Sequence, residues 1–142
     1  MNSDPLDKIF DSVEELDNEK KEILVDILSP IIVVDPEKGI IHTKKAWNNI
    51  NAKQKILAYL LAKLALSTRN QKFVNSATPN EIETKTELPG GTVRPKLREL
   101  IHDRIAFQNE DGSYSIRPTS MSINNARALF EDVIEKNKIN ME

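Results

Sequence analysis

The segment 51–67 constrains the fold most strongly, because its pattern demands a buried helix. Its apolar side chains recur every three or four residues and form a wide stripe: Ile56, Leu57, Leu60, Leu61, Leu64 and Ala65. Asn51 precedes the stripe as the predicted N-cap. The apolar run 56–66 contains Lys63 and is far shorter than the roughly 20 apolar residues of a membrane-spanning helix. We therefore expect this helix to form the centre of a globular core.

The composition excludes several classes of site. The chain of 142 residues has no cysteine and only two histidines, which argues against disulfides, thiolate metal sites and His-rich metal sites. It also has no Gly-rich phosphate loop, HExxH helix or GxSxG elbow. The first residues lack the basic and apolar regions of a signal peptide. We expect a cytoplasmic protein that is not an enzyme, binds no metal or cofactor, and does not contact the membrane.

The net charge of −2 hides a strong asymmetry along the chain. Residues 1–37 hold 3 basic and 11 acidic side chains, a net −8, whereas residues 38–80 hold 8 basic and no acidic ones, a net +8. An acidic head followed by a basic stretch of this kind is typical of proteins with a charged partner.

The acidic head is predicted to be helical over residues 5–28, as two short helices or one bent helix. Asp17-Asn18 can end the first part and cap the second, and Ser29-Pro30 ends the second part. Two β-branched runs, 31–34 and 40–43, flank a turn with Pro36 and Gly39 and predict a hairpin. Trp47 follows as a core side chain.

After the central helix the sequence predicts a short strand at 72–75 and two more helices. Thr78 caps the first, which runs to about Glu87, and Glu81 completes a capping box. A tight turn at 88–91 precedes the second, which begins near Thr92. Four apolar side chains of this helix are predicted to face inward: Val93, Leu97, Leu100 and Ile101.

Strands at 105–108 and 113–117 follow, joined by a turn with an Asp111-Gly112 step. One last amphipathic helix begins after Pro118, capped by Ser120 or Ser122. The fold class is thus mainly α with a small β component.

The order of elements from Asn51 to Arg117 resembles the winged-helix branch of the helix-turn-helix proteins. Residues 77–82, ATPNEI, look like the start of the second helix in regulators of the MarR and ArsR type. Residues 88–100, LPGGTVRPKLREL, look like the turn and third helix, and residues 105–116 look like the wing. The resemblance implies a winged-helix domain at 51–118, an N-terminal extension at 1–50, and a C-terminal helix at 119–142.

The same resemblance implies double-stranded DNA as the partner, with the third helix in the major groove. The residues expected to read the groove are Arg94, Lys96 and Arg98. Those expected to hold phosphates are Thr92, Lys44, Lys45, Lys53, Lys55 and Arg117. The alternative for the lysines is pairing with the acidic side chains between residues 4 and 26. With DNA as its partner, the chain would be a transcriptional regulator or an architectural DNA binder.

Two features favour a different function. The predicted wing carries Glu110 and Asp111 at its tip, where phosphates would repel them, and this favours a winged-helix adaptor that binds a protein partner. The helices at both ends of the chain have further apolar faces. These faces predict either a two-fold dimer or a larger core within one chain.

Overall fold

The computed structural model describes residues 16–141, which are mainly helical with two small antiparallel hairpins. The elements in chain order are α1 (Asn18–Leu28), β1 (Ile32–Val34), β2 (Ile41–Thr43), a 3₁₀ helix (Lys45–Asn49), α2 (Ala52–Arg69), α3 (Pro79–Thr86), α4 (Gly90–His102), β3 (Ala106–Gln108), β4 (Tyr114–Ile116), α5 (Ser120–Ala128) and α6 (Glu131–Met141). This confirms the predicted mainly α class with a small β component.

Helix α2 is the centre of the core, as its apolar stripe predicts. Ten of its 18 residues are buried, and Leu57, Leu60 and Leu61 are fully excluded from solvent. Its start is held by a capping box in which the Asn51 side chain accepts from the Gln54 N–H, and the Gln54 side chain accepts from the Asn51 N–H. Helices α1, α3 and α4 and strand β4 all pack against α2.

The β1–β2 hairpin forms as predicted, with Ile32 opposite Thr43 and Val34 opposite Ile41. Its turn depends on Asp35, whose carboxylate accepts the N–H groups of Glu37 and Lys38 at 2.9 and 3.1 Å. These backbone hydrogen bonds, first that of Lys38 and then that of Glu37, hold the pKa of Asp35 below its usual value. The Asn70 side chain donates to the Pro36 carbonyl at 3.2 Å, so the turn is tied to the end of α2.

Helix α1 starts and stops where the sequence predicts. The Asp17 carboxylate accepts from the Lys20 N–H at 2.9 Å and Ser29 follows its last residue. The predicted helical residues 5–15 lie outside the described part of the chain. Helix α1 packs against α2, α5 and α6 of the same chain, so these helices enlarge the core of one molecule. A dimer through the terminal helices stays a prediction.

Helix α3 is capped by Thr78, which accepts from the Glu81 N–H at 3.1 Å, and it ends at Thr86. The Glu81 carboxylate is used elsewhere than predicted: it accepts from the Tyr59 hydroxyl at 2.5 Å and pairs with the Lys63 ammonium at 3.1 Å. This network joins α3 to α2. Burial and then the Glu81 hydrogen bond raise the pKa of the Tyr59 hydroxyl far above its usual value.

Three predictions on the strands, the last helix and its cap are wrong. Residues 72–75 form no strand, and the strand-like contact falls instead on Ala77, which bridges Tyr114 of β4. The last helical stretch is two helices, and Thr119 rather than Ser120 or Ser122 caps the first. The helix is interrupted at residues 129–130, and the Phe130 side chain at this break is fully buried. The Gln54 side-chain amide donates to the Leu129 carbonyl at this break, at 2.9 Å.

Two features of the β1–β2 hairpin require glycine at position 39, a positive φ and the close approach of a neighbouring ring, so a substitution there tests the hairpin. The φ of Gly39 is +71°, and a Cβ there would lie 2.5 Å from the Phe73 ring. We expect Gly39→Ala to lower the free energy of unfolding by about 2–5 kcal/mol, the sum of left-handed strain and overpacking. Urea unfolding followed by circular dichroism measures this.

Gly112→Ala is the matched control, because Gly112 has φ +89° and nothing within 4 Å of its added Cβ. That variant carries the strain alone, about 1–2 kcal/mol. An equal loss in the two variants would show that the Phe73 contact contributes nothing.

Candidate nucleic-acid interface

Helix α4 presents a sharply divided surface. Val93, Leu97 and Leu100 are fully buried against the core, while Arg94 and Arg98 are exposed on the other side. Residues four apart on a helix share a face, so the two arginines form one ridge, which His102 continues as a third exposed side chain. Ile101, predicted to face inward, is 38 % exposed, because it lies at the edge of the buried stripe.

Lys96 is engaged by its own helix. Its ammonium lies 3.1 Å from the Glu99 carboxylate, one turn later, and both side chains are partly exposed. The charge of Lys96 is therefore paired with a neighbouring acid and is not free on the ridge.

Lys53 connects the start of α2 to the end of α4. Its ammonium lies 2.8 Å from the Asp103 carboxylate and 3.4 Å from that of Glu99. Partial burial lowers the pKa of Lys53, but the Asp103 hydrogen bond and charge outweigh it, so the pKa stands above the usual value. This places Lys53 in a network that fixes α4, with its ammonium already paired.

Glu99 lies between the two lysines. Hydrogen bonds from Lys96 and then Lys53 outweigh desolvation and hold the pKa of Glu99 below its usual value, so the carboxylate is ionised at neutral pH. Two ammonium groups thus neutralise two carboxylates around the end of α4. Within residues 16–141, Arg94 and Arg98 form no ion pair, so their charge is what this helix leaves uncompensated.

The other three lysines named by the sequence are not brought to this ridge by any contact. The Lys44 ammonium donates to the Ser29 carbonyl at 2.6 Å. Lys45 is exposed and Lys55 is half-buried. In the described part of the head, Asp17 forms an ion pair with Lys20, and none of the four predicted lysines pairs with an acid there.

The start of α4 differs from the predicted tight turn. The helix begins at Gly90, two residues before Thr92, and Pro89 occupies its N-cap without a side-chain hydrogen bond. The Thr92 N–H donates to the Pro89 carbonyl at 2.9 Å. Thr92 therefore contributes no free backbone N–H to a phosphate.

The β3–β4 hairpin keeps its acids at the tip. Asp111 accepts from the Ser113 hydroxyl at 2.6 Å and the Ser113 N–H at 2.9 Å, and these hydrogen bonds, the hydroxyl first, lower the pKa of Asp111. Glu110 beside it is exposed. The Arg117 guanidinium lies 4.8 Å from the centre of the Phe107 ring, a cation–π distance.

Two further observations bear on the function. In the part of the chain that the structure describes, no three acidic or histidine side chains come together as a metal site would need, and no helix has the length and apolarity to cross a membrane. Comparison with protein-family models, curated proteins and solved structures finds no match for this chain.

The residues that sequence reasoning missed are Asp103 and the pairing roles of Lys53 and Lys96. The Lys96–Glu99 pair could have been found, because residues three apart on a helix are neighbours. The Lys53–Asp103 pair joins residues 50 positions apart, and no local pattern announces it.

Removing the Lys53 ammonium is expected to weaken the anchor of α4. Lys53→Met leaves the Asp103 and Glu99 carboxylates without their shared cation, so the free energy of unfolding should fall by about 1–2 kcal/mol at neutral pH. Because the pKa of Lys53 is raised in the folded state, its stabilisation is complete below about pH 10.4 and is lost as pH rises through the folded value. Because the pKa of Glu99 is lowered in the folded state, the stabilisation that its carboxylate contributes is lost as pH falls below about 4.3.

Urea unfolding between about pH 3 and 11 tests this, and the difference between parent and variant should shrink at both ends. Lys55→Met is the control, since Lys55 forms no ion pair with a described residue. An equal loss in both variants, at every pH, would contradict the role of the network.

Proposed function

We propose that this protein is a DNA-binding protein of the winged-helix type, acting as a transcriptional regulator or an architectural binder. The order of α2, α3, α4, β3 and β4 supports this, as does the bridge between Ala77 and Tyr114, which adds a strand-like contact to the hairpin. In that arrangement α4 is the helix that enters the major groove.

The observation that carries the proposal is the uncompensated pair Arg94 and Arg98 on the outer face of α4. Both arginines are exposed, and the two acids around the C-terminal end of α4, Glu99 and Asp103, are neutralised by Lys53 and Lys96. A rigid helix held by core packing on one side and carrying free arginines on the other has the features of a groove-binding element.

The acidic hairpin tip decides how the domain would dock. Glu110 and the ionised Asp111 repel the phosphate backbone, so in the proposed complex α4 makes the principal contact and the tip points away from DNA. In the proposed complex, Arg117 at the base of the hairpin contacts a phosphate from this side.

Arg94→Ala and Arg98→Ala are each expected to weaken DNA binding. Each variant removes one cation from the interface, so the slope of log affinity against log salt should become shallower by about 1. Fluorescence polarisation of a labelled mixed-sequence duplex, titrated over a series of salt concentrations, measures both effects.

Arg69→Ala is the matched control. Arg69 is an exposed arginine at the last residue of α2, about 24 Å along the helix from Lys53. The Arg69→Ala variant should have the same DNA affinity as the parent and the same slope of log affinity against log salt. Absence of binding at low salt, or equal effects of all three substitutions, would refute the proposal.

A second candidate function, an adaptor that binds a protein partner, is favoured by an apolar groove. The groove lies between α1, β1 and the end of α2 and has a volume of about 470 Å³. Val25 and Val33 in its lining are 59 % and 54 % exposed. The described residues of the lining include two basic side chains, Lys21 and Arg69, and no acidic one, which suits an amphipathic helix with acidic flanks.

Val33→Asp tests the groove. The substitution places a charge in the apolar lining, so an adaptor should lose its partner by at least about tenfold in affinity. Affinity purification with the parent and the variant, followed by mass spectrometry, measures the recovery of a stoichiometric partner.

Val74→Asp is the control, because Val74 is 66 % exposed and lies outside the groove lining. Equal recovery of the partner by both variants would place the interface elsewhere.

A further inference from the structure

We propose that α4 selects guanine-containing DNA, with Arg94 and Arg98 each contacting the major-groove edge of a guanine. This inference rests on the proposed function and names the feature of DNA that the same site would recognise. It gives Arg94 and Arg98 a role in base specificity in addition to the charge that they bring close to the phosphates.

The first argument is spacing. Arg94 and Arg98 lie four residues apart on a regular helix, and a rise of 1.5 Å per residue separates them by about 6 Å along its axis. Successive bases of one DNA strand are about 3.4 Å apart. The two side chains therefore match two guanines about two base-pair steps apart when the helix follows the groove.

The second argument is the chemistry of the side chains left free. The guanidinium group is a planar fork of donors that matches the O6 and N7 acceptors of guanine. The lysines beside the ridge, which would serve as point charges for phosphates, are paired: Lys96 with Glu99, and Lys53 with Asp103 and Glu99. The cations that remain available on α4 are the two with the geometry to read a base.

The test uses one pool of mixed-sequence duplexes prepared in three chemical forms. The pool is amplified with ordinary dGTP, with 7-deaza-dGTP, which removes the N7 acceptor, or with dITP, which keeps O6 and N7 and removes only the minor-groove amino group. Fluorescence polarisation at one salt concentration is expected to give an affinity roughly tenfold lower for the 7-deaza pool. The inosine pool should bind like the guanine pool.

Arg94→Lys and Arg98→Lys provide the second measurement, because they keep the charge and remove the fork. Each should keep the salt slope of the parent and lose part of the discrimination between the guanine and 7-deaza pools, because an ammonium group can donate to N7 but lacks the rigid fork that matches N7 and O6 together. Arg69→Lys is the matched control and should behave like the parent.

The outcomes separate this inference from the proposed function. Salt-dependent binding that is equal for all three pools would overturn guanine reading and leave DNA binding standing. Discrimination that survives unchanged in both Arg94→Ala and Arg98→Ala would also overturn it, since another group would then read the base. Absence of binding to every pool would overturn the proposed function and this inference together.

Discussion

The burial of α2 is the constraint on which the rest of the structure depends. The helix is covered by α1, α3, α4 and β4, and α5 and α6 pack in turn against α1. The first turn of α2 carries Gln54, whose side chain completes the capping box and also donates to the Leu129 carbonyl and the Asp132 carboxylate at 2.9 and 3.1 Å. One buried amide thereby joins the start of the central helix to the break between α5 and α6.

Charge pairing follows the same central helix. Lys53, one residue before Gln54, binds the acids at the end of α4, and Lys63, farther along α2, binds Glu81 of α3. The basic stretch of the sequence is therefore used partly to attach the two neighbouring helices. The local charge left over, on Arg94 and Arg98, is a better guide to a partner than the net charge of the chain or of its segments.

Local rules predicted most of the fold. The periodicity of α2, the caps Asp17, Asn51 and Thr78, and both hairpins follow from short-range preferences that their surroundings do not oppose. The errors arise where a contact with a residue distant in sequence replaces the local one. The Glu81 carboxylate binds Tyr59 and Lys63 instead of completing the capping box. The predicted last helix is divided in two where Phe130 packs into the core. For the candidate site, helical angles alone identified the exposed arginines, whereas the neutralisation of Glu99 and Asp103 depends on a residue from another helix.

The two ends of α4 are held very differently, and this makes its two arginines unlike. The C-terminal end is tied by the Lys53 pairs and by the Asn125 amide, which donates to the Asp103 carbonyl at 3.0 Å. The N-terminal end begins with two glycines and has no side-chain cap. Arg98 thus projects from a turn that is held by polar contacts from α2 and α5, whereas Arg94 lies beside Val93, which is fully buried in the core. The two arginines of one ridge therefore depend on different kinds of contact, polar for Arg98 and apolar for Arg94.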